Sequence, residues 1–396
     1  MSPLILSPLP RASDAFEVVE RKGLGHPDTI CDALAECFSR RLCREYLDRF
    51  GHILHHNVDK ALLVGGQAAP AYGGGRLLAP INIHLAGRAV AEVDEMRIPI
   101  RDIAVDTARI WLRENIHALD AERDVNLHVV TRPGSQDLQA VFRHGEAREV
   151  ARANDSSIGV GYAPLSPLER LVLAVERRIS ENGRRSAPAW GEDVKVLGLR
   201  HGEHVRLTIA CAMVGRYLAG FDDYLAQKEA LAQLARSVAA ENGFPQCEVV
   251  VNAADDIAGG DVYLTVTGTS AEAGDDGEAG RGNRINGLIT PGRPMTLEAA
   301  AGKNPRSHTG KIYSVAARGI AEMLVAELPE ISEAHCIMVS EIGHPLNKPA
   351  AVHVRLATGD ATLENLRRRV EDIVGRALAR IPFMVEDFVA GKVDVF

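Results

Sequence analysis

The chain has only six cysteines, and no two of them form a C-x-x-C pair. Cys31, Cys37, Cys43, Cys211, Cys247 and Cys336 lie mostly within apolar runs, so they read as buried thiols and argue against a disulfide framework or a zinc site. No apolar run approaches the ~20 residues that span a bilayer, and the opening MSPLILSPLPRASD lacks the charged start and sustained apolar core of a secretory signal. The expected location is therefore the cytoplasm, with no membrane partner. Long basic runs are also missing and the formal net charge is −8, which disfavours nucleic acid as a partner. Familiar catalytic signatures are absent as well. Residues Gly302 to Ile312 imitate a P-loop, but Pro305 stands at the first glycine position and Ile312 where Ser or Thr is required. G-R-G-N-R-I, from Gly280, lacks the last glycine of a dinucleotide fingerprint, and neither H-E-x-x-H nor G-x-S-x-G occurs.

What is present is an ordinary globular composition, 396 residues with 46% hydrophobic and 25% charged, long enough for two or three packed domains. Its most chemically loaded stretch is Gly268 to Tyr313. There Asp275 and Asp276 lie between Gly274 and Gly277, followed by Arg281, Arg284, Arg293, Lys303, Arg306 and Lys311. Paired carboxylates beside clustered cations suit a polyphosphate carried with its metal, since Mg²⁺ takes carboxylate and phosphate oxygens while Arg and Lys neutralise the rest. The competing reading is a long polar surface loop. Against it, loops of this length in compact domains are usually functional or disordered, and the apolar A-E-A-A-A-G-like run opposes disorder.

Along the chain, residues 1–15 read as a tail and 16–396 as the catalytic unit, with 181–188 as the best linker candidate. Phe16 to Glu20 looks like a strand, R-K-G-L-G-H-P-D follows, and apolar spacing predicts a helix from about Thr29 to Arg49 with Asp28 as N-cap. His26 then stands at a helix N-terminus, where an anion is favoured, and Asp28 is placed to hold its metal. Equally, Asp28 is only a cap and His26 a turn residue. His52, His55 and His56 lead into a probable strand whose neighbours face opposite sides, which argues against a metal site. Gln67 ends that strand. Arg132-Pro133-Gly134-Ser135-Gln136-Asp137 ends another, and such a turn either offers donors to a nucleotide or is a plain turn. Asn154 to Ser166 reads as a glycine loop, in which Asn154 and Asp155 bind a substrate or form a solvated turn. Lys195 sits on a strand, where Lys more often snorkels than catalyses. Mixed strands, hairpins and helices favour α+β layers over a doubly wound parallel sheet.

The strings E-R-K-G-L-G-H-P-D-T-I-C-D, H-H-N-V-D-K, L-V-G-G-Q, N-D-S-S-I-G-V-G-Y-A-P-L-S, G-E-D-V-K-V-L-G-L-R, G-D-D-G, G-R-G-N-R-I-N-G-L-I-T-P and E-A-A-A-G-K-N-P resemble methionine adenosyltransferase of the archaeal type, from about Glu17 to the terminal G-K-V-D-V-F. The resemblance implies three similar α+β subdomains around a pseudo-threefold axis, although no internal repeat is visible in the sequence. It implies a homodimer with active sites between subunits, the substrates ATP and L-methionine, and Mg²⁺ with K⁺. By the same resemblance, His26, Lys195, Arg281 and Lys303 contact the phosphate chain, while Asp28 and one of Asp275 or Asp276 serve Mg²⁺. Residues 132–137 then bind ATP, with His308 and Lys311 as further contacts, and Gln67, Asn154 and Asp155 face the methionine and adenosyl side. Against the family pattern, Val58 and Ala253 each replace Thr, Gly292 an aromatic residue and His344 a Lys. The alternatives are a silent nucleotide-binding homologue and a relative specialised for a methionine analogue or for tripolyphosphate hydrolysis.

Overall fold

The computed structural model describes residues 4–10, 16–134 and 150–396. Strands β1 (Leu4–Pro8) and β2 (Phe16–Lys22) precede helix α1 (Pro27–Phe50). Strand β3 (His56–Val64), the hairpin β4 (Gln67–Ala71) and β5 (Gly74–Ala79), strand β6 (Ile81–Ala89) and the short pair β7 (Glu92–Val93) and β8 (Met96–Arg97) lead to α2 (Ile100–Asn115) and β9 (Val125–Arg132). Then come β10 (Ile158–Ala163), α3 (Pro167–Arg185), β11 (Trp190–His201), β12 (His204–Val214), α4 (Phe221–Glu241), β13 (Glu248–Val251), β14 (Leu264–Thr265) and β15 (Gly277–Glu278). The chain closes with α5 (Thr309–Glu327), β16 (Ile331–Val339), β17 (Ala351–Thr358), α6 (Leu363–Arg380) and α7 (Met384–Ala390).

The repeat that the sequence hides is plain in the pairing. Three main sheets run β15-β3-β6-β9, β2-β11-β12-β13 and β10-β16-β17-β1, with the short β14 also pairing with β12 in the second. In each, the first two strands are antiparallel, the middle two form an antiparallel pair, and the last joins in parallel. Each central pair lies between two helices in sequence, α1 and α2, α3 and α4, or α5 and α6, and each sheet shares one apolar core with those helices. The strand immediately before each first helix joins the next unit's sheet: β2 enters the second, β10 the third and β15 the first. The α+β class and threefold arrangement are thus those expected from the resemblance.

Three sequence expectations need correction. Residues 4–8 belong to the fold, because β1 pairs in parallel with β17 from Leu4 beside Val352 to Pro8 beside Leu356. The flanking prolines obscured a strand that an edge position tolerates. The linker candidate 181–188 is the end of α3 and its turn into β11, a charged helix end that imitates a linker in composition. The glycine loop proposed for 154–166 contains β10. Its glycines exist for contact: a Cβ at Gly159 would lie 2.2 Å from the Tyr313 carbonyl carbon, and one at Gly161 2.2 Å from the Arg318 nitrogen, both on α5. Gly161→Ala is therefore expected to cost about 3 kcal/mol, the upper end for overpacking, because backbone has no rotamer into which to retreat. A urea midpoint equal to wild type would refute this.

The candidate active site

The chain reaches α1 through Lys22-Gly23-Leu24-Gly25, laid across the start of β11. Gly23 N–H donates to Val194 O at 2.7 Å and Gly25 N–H to Glu192 O at 2.9 Å. A Cβ on Gly25 would lie 2.3 Å from the Asp193 nitrogen, so only glycine allows this approach. The consequence is that His26 meets Asp193. His26, not Asp28, is the N-cap of α1: its backbone is extended and its Nδ1 accepts the Asp28 N–H at 3.1 Å. Burial, assisted by Lys22 and opposed by Asp193, Asp28 and Asp275, holds the His26 pKa below its ordinary value. The neutral ring, accepting at Nδ1, carries its proton on Nε2.

Around this corner the fold gathers residues far apart in sequence. Asp28 accepts from Lys22 Nζ at 2.9 Å on one oxygen and from the Glu278 N–H at 2.9 Å on the other. Burial opposes its ionisation, but these two donors hold its pKa below the ordinary carboxylate value. Asp193 is buried and accepts from the Ser270 N–H at 2.8 Å, while Ser270 Oγ donates to Asp275 at 2.9 Å. Burial raises the Asp193 pKa against the pull of His26 and Ser270. Asp276 is turned away, accepting the Gly65 N–H at 2.8 Å and tying its loop to the end of β3 beside Gln67. Lys195 faces Lys22 across the β2–β11 pair, with Nζ 3.4 Å from Glu20. The exposed Arg281 follows Gly280, whose N–H donates at 2.8 Å to Asp32, one turn beyond Asp28 on α1. Burial pushes the Asp32 carboxyl up to about 7.

The remaining sequence candidates form a second cluster at the other end of β3. Asp59 and Gly65 are six residues apart on this extended segment, a separation of about 20 Å. Lys303 is buried, ion-paired with Glu298 and 3.7 Å from Asp59. His308 caps α5, its Nδ1 accepting the Gly310 N–H at 3.2 Å, and burial together with Lys303, Lys311 and Lys60 drives its pKa far down. Asn154 accepts the Thr309 N–H at 3.3 Å, and Thr309 Oγ1 donates to the Asp155 carbonyl at 3.5 Å. Arg132 ends β9, Pro133 accepts from Arg88 at 3.3 Å, and Gly134 lies against His55. Ser135, Gln136 and Asp137 lie outside the described residues. Lys311 is directed inward: its Nζ lies 2.8 and 2.7 Å from the Glu36 oxygens and 3.0 Å from the Lys303 carbonyl.

Sequence reasoning missed Lys22, Asp193, Ser270 and Asp32. Lys22 and Asp32 flank His26 along the chain, whereas only the register of β2 on β11 and the fold-back of the 270–282 loop bring Asp193 and Ser270 to it, and neither has a local signature. Several of the loop's cations are also internal. Arg284 donates to the carbonyls of Gly280, Gly282 and Thr296, and Arg293 pairs with Glu169 and Glu333. The loop is irregular but held in place.

Among the described residues, no group of three or more His, Cys, Asp or Glu is arranged to hold a metal. Mg²⁺ seldom needs such a cage, since one or two carboxylates and substrate phosphates suffice. Asp193 and Asp275, joined through Ser270, fit that requirement. Asp28 fits it poorly, because both its oxygens are engaged by donors of the chain. No helix among the described residues is long and apolar enough to cross a membrane.

Residues 6–392 match the S-adenosylmethionine synthetase (AdoMet synthetase) family. The chain is 48% identical over 387 residues to a probable S-adenosylmethionine synthase of Aquifex aeolicus, covering 96% of each chain. It is 47% identical over 388 residues to the S-adenosylmethionine synthase of Archaeoglobus fulgidus, covering 98% of this chain and 97% of that one. Its fold is similar to a solved structure described as an unusual S-adenosylmethionine synthetase from Campylobacter jejuni, with a TM-score of 0.62 and 13% identity over 95% of this chain and 99% of the other. With a family match across nearly its whole length and relatives at this level of identity, the chain belongs to the S-adenosylmethionine synthetase family.

Proposed function

We propose that the cluster at the start of α1 grips the polyphosphate of ATP while the methionine sulfur attacks ribose C5′. The reaction is methionine adenosyl transfer: ATP and methionine yield S-adenosylmethionine, and the tripolyphosphate is then hydrolysed to phosphate and pyrophosphate. A thioether is neutral and has no proton to remove, so the first step needs alignment and stabilisation of the leaving group, not a base. The observation that carries the assignment is the convergence of His26, Lys195, Arg281 and Asp275 on one corner.

In this reading the Nε2–H of His26, the Lys195 ammonium and the Arg281 guanidinium take up the negative charge that builds on the departing phosphate chain. Mg²⁺ held by Asp193 and Asp275 would supply further positive charge to phosphate oxygens. K⁺ is expected from the family likeness. The same groups serve the second step, when water attacks a phosphorus of the retained tripolyphosphate. Gln67 borders this corner on the substrate side.

The second cluster, with Lys303, His308, Asn154, Asp155 and the 132–134 segment, is set apart from this corner along α1, where Asp28 and the Lys311 partner Glu36 are eight residues or about 12 Å apart. The family likeness supports a homodimer in which each site combines the α1 corner of one copy with the α5 cluster of the other. Lys311 then acts indirectly, by holding the backbone of Lys303. Among the departures from the family pattern, Val58 is buried and its N–H donates to the Gly302 carbonyl at 2.9 Å, so its side chain fills the core. Gly292 is exposed with open space around it.

The test is incubation of purified protein with ATP, Mg²⁺ and K⁺, with and without methionine, following S-adenosylmethionine, phosphate and pyrophosphate together. Methionine-dependent appearance of all three is expected. Nucleotide binding without product, or phosphate release without S-adenosylmethionine, would overturn the reading.

A further inference from the structure

Lys22 has no assigned role, yet it stands at the centre of the phosphate-facing corner. Its position opposite Lys195 on the β2–β11 pair puts both ammonium groups near Glu20, with Lys22 Nζ 3.7 Å and Lys195 Nζ 3.4 Å from its oxygens. Lys22 Nζ also donates to Asp28 Oδ2 at 2.9 Å and to the Arg281 carbonyl at 3.4 Å. The other Asp28 oxygen is taken by the Glu278 N–H. A metal ion seeking Asp28 would have to displace an ammonium already seated on it.

We propose that Lys22 is a built-in cation of the phosphate clamp, occupying the place on Asp28 where a metal would otherwise bind and offering its remaining N–H to a phosphate oxygen. This rests on the reading of the α1 corner as the polyphosphate site. An ammonium carries three donors, and the two contacts within hydrogen-bond distance leave one for the substrate. Asp28 thereby becomes a positioning residue. It fixes the Lys22 head group beside Lys195 and Arg281, and the divalent ion is confined to the Asp193–Asp275 side. A cation carried by the chain binds phosphate without being recruited from solution, so it lowers the amount of divalent ion the reaction requires.

The experiment counts Mn²⁺ bound per chain by electron paramagnetic resonance, using full-length protein with a non-hydrolysable ATP analogue, and measures half-saturating Mg²⁺ in the product assay. Asp28→Asn is expected to leave the Mn²⁺ count unchanged, whereas Asp193→Asn lowers it. Loss of an ion from Asp28→Asn would overturn the proposal. Retention of the full count in Asp193→Asn would instead refute the placement of the metal, leaving Lys22 to be judged by the second measurement. There Lys22→Met should raise half-saturating Mg²⁺ by about tenfold, because a unit charge a few ångströms from the phosphates has gone. Lys22→Arg keeps the charge and should stay within about twofold. If Lys22→Met also stays within about twofold, Lys22 is not part of the clamp.

Discussion

Lys311→Met should destabilise the fold by about 3–5 kcal/mol, the usual consequence of removing one partner from a buried ion pair. Lys311 is 1% exposed and Glu36 4%, and the ammonium engages both Glu36 oxygens. After the substitution Glu36 keeps, among the described residues, the Gly302 N–H at 3.0 Å to balance a charge sealed under the first turn of α5. The apolar stem is not the main loss, since Met fills similar space beside Phe388. Urea denaturation of Lys311→Met, Glu36→Leu and the double variant separates the terms. The double variant should regain most of the lost stability, because replacing both charges removes the unpaired group. A single-variant loss below about 1 kcal/mol would mean that water reaches the pair and screens it. The same geometry shows why Lys303→Ala would not be a purely catalytic change: it removes a buried ammonium 3.7 Å from buried Asp59 and leaves that carboxylate to Lys60 among the described residues.

His26→Asn separates the two jobs that histidine does. Asn is among the best N-cap residues, so the helix start should survive with a stability change of a few tenths of a kcal/mol. What is lost is the Nε2–H, which Asn is too short to replace at the phosphates. Turnover should then fall about 10²–10³-fold, the range for deleting one preorganised donor to developing negative charge. If that charge contact acts mainly in the transition state, kcat falls while KM for methionine moves little. Turnover within threefold of wild type, with the cap intact, would leave His26 as a cap alone; the ~3-fold margin corresponds to well under 1 kcal/mol.

Much of this fold is legible in the chain because its elements are locally consistent. The strand expected from Phe16 and the helix expected over about 29–49 are observed at Phe16–Lys22 and Pro27–Phe50. Where the reading failed, a tertiary contact had replaced the local signal. Gly159 and Gly161 look like loop residues because α5 lies on them, and β1 is invisible beside its prolines because its partner is more than 340 residues away. The site divides in the same way. His26, Asp28, Asp275 and Arg281 stand in conspicuous charged or glycine-rich strings. Asp193 and Lys22 stand in such strings too, but their meaning depends on the register of β2 on β11, which no short window encodes.

The exchange of strands among the three units also constrains the order in which a growing chain can become structured. The middle sheet needs β2, β11, β12, β13 and the short β14, so all its strands have been made once residue 265 has emerged. The first sheet must wait for β15 at residues 277–278, and the third for β17, which ends at 358, before β1 can find its place. During synthesis the middle unit is thus the earliest that can close. The first residues to leave the ribosome wait almost until the end.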